Sequence, residues 1–116
     1  MRHVRDRHDV DLKPLTEPVL LILLSLADQP RHGYALMKET EVLSNGRVRL
    51  STGTLYGALR RMLEDDWIER FEQEDTSREK QAYRLTASGR RQLQGELGRM
   101  KQLTCVAAVR LSASEA

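Results

Sequence analysis

The sequence predicts a mostly helical α+β fold, on three observations. Aromatic residues make up only 4% of the 116 positions, fewer than a sheet-rich chain carries. Apolar residues recur at helical spacing at Leu55, Leu59, Met62 and Leu63, and again at Leu93, Leu97, Met100, Ala107 and Leu111. Two short alternating runs, near 67–73 and 81–85, flank a polar turn and read as one hairpin. With 40% hydrophobic and 31% charged residues, the chain can build one modest core but not two.

Residues 1–13 alternate Arg, His and Asp with almost no apolar anchor, so a flexible arm is expected. Thr16 then reads as an N-cap, with Glu17 and Pro18 in the first turn. The helix that follows, Val19 to Ala27, is apolar on every side. Such a helix must be covered all round, by a partner subunit or by a deep position in its own core. Asp28, Gln29 and Pro30 stop it.

A second helix is predicted from Gly33 to Leu43, with Leu36, Met37, Thr40 and Leu43 facing inward. Ser44-Asn-Gly46 ends it, and the alternating Arg47-Val-Arg-Leu50 reads as one short strand. Ser51 caps a third helix from Thr52 to about Asp65. After the hairpin, Thr86 caps a last helix reaching about Arg110, with its apolar residues close to a heptad seam. The boundaries expected are an arm over 1–13, a domain over 14–86, a dimerisation helix over 87–111 and a flexible tail over 112–116.

Several function classes drop out. The charged N-terminus lacks the apolar stretch of a signal peptide, and the longest apolar run, Val19 to Leu24, is far too short to span a bilayer. The single Cys105 excludes an intramolecular disulfide and a Cys-based zinc site and fits a reducing compartment, so a cytoplasmic location is expected. His3 and His8 lie near Asp6, Asp9 and Asp11, but no rigid element anchors them, and no metal is expected. No paired-carboxylate, Ser/His/Asp or metal-ligand set falls on a rigid element, so neither an enzyme nor a cofactor is expected. The net charge of +2 hides two basic blocks, +4 over 31–61 and +5 over 76–116, around an acidic block of −6 over 62–75. Such asymmetry suits a polyanion-binding face.

A helix–turn–helix followed by a β-hairpin is a winged helix, most often a DNA-binding module. The rival expectation is a winged helix that binds protein without sequence-specific DNA binding.

At Leu50-Ser-Thr-Gly-Thr-Leu-Tyr-Gly-Ala-Leu-Arg-Arg61 the chain resembles the "SxGTLYxxLxRL" recognition helix of PadR-type transcriptional regulators. Three further blocks resemble that family in order. They are His32-Gly-Tyr-Ala-Leu-Met-Lys38, Asn45-Gly-Arg-Val-Arg-Leu-Ser51, and Ala82-Tyr-Arg-Leu-Thr86 with Gly89 and Arg90. The resemblance covers about residues 15–92, and the short C-terminal helix resembles the family's compact subgroup. The chain departs from the pattern at Asp66, where the family has Gly, at Gly57, where it has Pro, and in a thin wing-tip run, Arg78-Glu-Lys-Gln81. The resemblance implies a bacterial homodimer, usually a repressor, released in some members by a small phenolic or hydrophobic compound.

The third helix can also be read without the family. With Leu55, Leu59 and Met62 inward, Gly53, Gly57, Arg60 and Glu64 face out, flanked by Tyr56 and Arg61. Two outward glycines cost helix stability, roughly 1 kcal/mol each against Ala, and suit close approach to a groove wall. Ser51, Thr52 and Thr54 sit at the helix N-terminus, where hydroxyls and N–H groups bind phosphate. Arg60 is the expected base or phosphate contact. Tyr34 and Lys38 are expected to flank the DNA backbone, with Arg78 and Lys80 at the wing tip. Dimerisation is expected through Leu20, Leu24, Leu93, Leu97, Met100, Leu103, Ala107 and Leu111.

Overall fold

A computed structural model describes residues 14–71 and 81–115. Helix α1 spans Glu17–Ser25, with the Thr16 hydroxyl accepting from the Val19 amide at 3.4 Å. It ends two residues earlier than the apolar run suggests. Arg31 secures that end: its Nε donates to the Ser25 carbonyl at 2.6 Å, and Nη2 reaches Asp28 at 3.3 Å. Leu21, Ile22, Leu23 and Leu26 are buried within the chain, and Val19, Leu20 and Leu24 pack partly against the same cluster. The all-round apolar helix has therefore taken the deep position, beneath later elements of its own subunit.

Strand β1 is only Arg31–His32, and it leads straight into α2, Gly33–Leu43. The strand expected at 47–50 is not present. Its alternation is real, but a strand needs a neighbour, and the edge of the sheet is taken by Arg31 and His32 opposite Tyr83 and Ala82. Helix α3, Thr52–Glu64, starts where Ser51 accepts from the Thr54 amide at 3.1 Å. It buries Leu55, Ala58, Leu59 and Met62.

Both α2 and α3 end in the same way. Asn45 (φ 55°) and Asp66 (φ 66°) take the left-handed conformation just past the last turn. After α2, the Gly46 amide returns to the Glu41 carbonyl at 2.8 Å; after α3, the Trp67 amide returns to Met62 at 3.0 Å. These are Schellman closures, which usually employ Gly at the position that Asn45 and Asp66 hold.

Strands β2 (Ile68–Phe71) and β3 (Ala82–Leu85) form the hairpin, and the sheet order is β1-β3-β2, antiparallel throughout. Helix α4 runs from Ala87 to Glu115. At 1.5 Å per residue it is roughly 43 Å long. It passes the expected end near Arg110 and includes most of the expected tail, since nothing after Leu111 breaks a helix before Glu115. Its first third packs on the core through Gly89, Gln92, Leu93 and Glu96. Every residue from Leu97 to Ser114 is exposed.

Candidate nucleic-acid interface

The outer face of α3 is defined by what it lacks. A Cβ added to Gly53 or to Gly57 would meet nothing within 4 Å. The two lie one turn apart, so the backbone is bare along that stretch. They form the floor of a shallow depression of about 330 Å³, bordered by Thr54, Ala58, Arg60 and Arg61. Ser51, Thr52 and Thr54 are exposed at the helix N-terminus, where the Ser51 hydroxyl donates to Thr54 Oγ1 at 3.0 Å. Arg60 and Arg61 are exposed near the other end.

Tyr56 is less free than the sequence suggests. It is 39% exposed. Its ring and hydroxyl lie against Gly33, so tightly that a side chain on Gly33 would overlap the phenol. Tyr56 also lies within electrostatic reach of Tyr83, which is buried in β3. Burial pushes the Tyr83 phenol above its ordinary value of 10.0, Tyr56 pushes the same way, and Arg70 opposes. Tyr56 therefore ties α3 to the start of α2 as well as facing outward.

On α2, Tyr34 is 67% exposed, and the Lys38 ammonium stands 5.7 Å from its ring centroid. That pair begins one residue after Gly33, against which Tyr56 packs. Arg78 and Lys80, expected at the wing tip, lie outside the described residues, as does the 1–13 arm. In the described part of the hairpin, Arg84 Nε donates to Glu69 at 2.7 Å, and its guanidinium covers the Phe71 ring at 5.1 Å.

Two cations were not among the expected contacts. Arg47 pairs with Glu17 at 2.5 Å and Arg49 with Glu41 at 3.4 Å, just ahead of the Ser51 cap. Alternation in Arg47-Val-Arg-Leu50 was a usable signal, because it sends both arginines to one side.

The expected dimer residues divide. Leu93 is 4% exposed in its own subunit's core and offers nothing to a partner. The heptad spacing that placed it in the seam continues the core stripe of the same helix. Leu20 and Leu24 are half-buried. Leu97, Met100, Leu103, Ala107 and Leu111 are exposed, together with Val106 and Val109, along a projecting length of helix.

An open cleft of about 520 Å³ lies behind α3. Leu15, Val19, Met62 and Trp67 supply its apolar walls, and Arg61, Asp65, Ser88 and Gln92 supply polar groups. Among the described residues, no three His, Cys, Asp or Glu side chains come together as a metal site, and no helix is long and apolar enough to cross a membrane.

Residues 22–95 match the model of the transcriptional regulator PadR-like family. Among curated proteins, an uncharacterised 37.1 kDa protein in transposon TN4556 of Streptomyces fradiae is 36% identical over 85 residues. That match covers 73% of this chain but 23% of the relative, so the chain spans about a quarter of the relative's length. A PadR family transcription regulator from Clostridium difficile superimposes with a TM-score of 0.67 at 24% identity, over 83% of this chain and 99% of that one. A PadR-like transcription factor from Bacteroides fragilis gives 0.64 at 25%, over 78% and 85%. Bacillus subtilis PadR in complex with operator DNA gives 0.62 at 22%, over 73% and 48%.

Proposed function

The chain belongs to the transcriptional regulator PadR-like family, and on that premise we propose that it binds operator DNA as a homodimer and represses transcription from the site. The observation that carries this reading is the outer face of α3: a capped N-terminus with exposed hydroxyls, a bare backbone at Gly53 and Gly57, and two arginines. An α-helix fits the major groove, and a side-chain-free stretch lets its axis approach the groove wall. The neighbour solved with operator DNA supports the same reading. Ser51, Thr52, Thr54, Tyr34, Lys38, Arg78 and Lys80 are assigned to the sugar-phosphate backbone, and Arg60 to a base edge.

Dimerisation is assigned to the projecting part of α4. A single helix showing Leu97, Met100, Leu103 and Leu111 to water is an unsatisfied apolar surface. Two copies related by a dyad would present two α3 helices to half-sites about one helical turn, roughly 10 base pairs, apart on an inverted repeat. A small hydrophobic or phenolic effector that releases the DNA is part of the proposal. The cleft beside Trp67 is of a suitable size for it and touches the C-terminal end of α3. The cytoplasm is the location such a regulator requires.

Titration of DNA binding against salt tests the reading. Each phosphate neutralised contributes a slope of about −0.9 in log K against log salt, and two subunits should give a slope of several such steps. A flat response would favour the protein-interaction module instead.

A further inference from the structure

We propose that Arg47 and Arg49 grip DNA phosphates, and that Glu17 and Glu41 hold the two guanidiniums until DNA displaces them. This rests on the DNA-binding reading above and adds to it two contacts and a competition. Residues 47–50 lead into α3 without a strand partner. The run is fixed all the same. Ser44 Oγ accepts from the Val48 amide at 2.9 Å, and Leu50 packs against the core. With Val48 and Leu50 turned inward, Arg47 and Arg49 are left outside, four and two residues ahead of the Ser51 cap.

Sequence makes these two residues matter. Between Lys38 and Arg60 they are the only cationic side chains. The N-terminal end of α3, which a recognition helix directs at base edges, has no other positive charge beside it along the chain. Their ion pairs are made at the surface. The side chains of Arg47 and Arg49 are 64% and 74% exposed, and those of Glu17 and Glu41 are 43% and 47% exposed. Surface pairs of this kind are weak and are screened by salt. A phosphodiester offers the same guanidinium fork two oxygens and stands in a row of negative charge, so exchange favours the phosphate. In the free protein the two carboxylates keep the arginines extended and discourage chance polyanions.

The test compares the full-length wild type with Arg49→Gln, Glu41→Gln and the double variant. Each is titrated with a short duplex of random sequence at rising salt. Arg49→Gln should weaken binding roughly 3- to 10-fold and flatten the salt slope by about one per subunit. Glu41→Gln should tighten binding roughly 2- to 5-fold, as expected for release of one surface pair. In the Arg49→Gln background that gain should vanish, which separates displacement from a general loss of negative charge. Glu41→Gln keeps the test independent of any loss of fold in Arg49→Gln. An unchanged salt slope in Arg49→Gln, or an equal gain from Glu41→Gln with and without Arg49, would overturn the proposal. A wild type that binds no duplex at all would remove the underlying reading instead.

Discussion

Gly89 lies against the backbone carbonyl of Trp67 with no room for a methyl group between them. The contact joins the first turn of α4 to the root of the hairpin. Thr86 completes the joint. Its hydroxyl donates to the Asp66 carbonyl at 2.5 Å and accepts from the Gly89 amide at 3.0 Å. The end of α3, the start of β2 and the start of α4 are thus fastened within a few residues of one another.

Gly89→Ala should therefore destabilise the fold, although Ala is the better helix former by about 1 kcal/mol. The obstacle is backbone, which cannot turn aside as a side chain can, and overpacking of this kind costs about 1–3 kcal/mol or more. Trp67 is the one tryptophan and sits at the joint, so its fluorescence in a urea melt reports the change directly. A variant as stable as wild type would show that α4 can shift freely on the hairpin.

Asp66→Gly should act in the opposite direction. A left-handed conformation strains most L residues by roughly 1–2 kcal/mol, and Asp somewhat less. Glycine removes that strain but adds about 0.4–1 kcal/mol of unfolded-state entropy. The balance is a gain of about 0.5 kcal/mol, or roughly 2–4 °C in melting temperature. Asp66→Val should lose stability, because a β-branched side chain fits that conformation worst. If glycine at this position lowers the melting temperature, the Schellman closure of α3 is not under strain.

The elements most legible in the sequence were those whose ends are set by local chemistry. Ser51 and Thr16 cap their helices through their own hydroxyls, and the Ser44-Asn-Gly46 turn contains its own closure. What failed depended on distant partners. Arg47-Val-Arg-Leu50 alternates as a strand does, yet the sheet edge went to Arg31 and His32, a pair too short to show any period. Leu93 and Leu97 look alike in the heptad, but one lies over the core and the other beyond it. The outer face of α3 was legible because its glycines stand out on a helix. The clasp of Tyr56 on Gly33 was not, since it joins residues on different elements.

Leu97→Glu with Leu103→Glu should yield a folded monomer. Both side chains are exposed, and neither belongs to the subunit's core, so the winged-helix unit keeps its packing. What they lose is the surface for a second copy. Sedimentation should show a dimer for wild type and a monomer for the variant. Operator affinity should fall about 100-fold or more as the second recognition helix stops acting in concert with the first. A wild type that sediments as a well-folded monomer would end the dimer proposal.

The sharpest prediction concerns the bare face of α3. Gly57→Leu replaces a poor helix former at a position where a Cβ meets open space. Intrinsic helix stability should rise by several tenths of a kcal/mol, up to about 0.8. The added Cβ meets open space, so a loss of DNA binding at an unchanged melting temperature is assigned to contact with DNA. If this face enters the groove, a leucine between Thr54 and Arg60 holds the helix away from the wall, and operator binding disappears while the melting temperature stays level or rises. Arg60→Ala is the companion measurement. Should Arg60 read a base, binding falls by about 1–3 kcal/mol and preference relaxes at one position per half-site. Should it meet only phosphate, the loss is equal on every sequence and the salt slope drops by about one per subunit. A Gly57→Leu protein that binds its operator as wild type does would mean that DNA never approaches Gly53 and Gly57, and the recognition face would have to be sought elsewhere on the molecule.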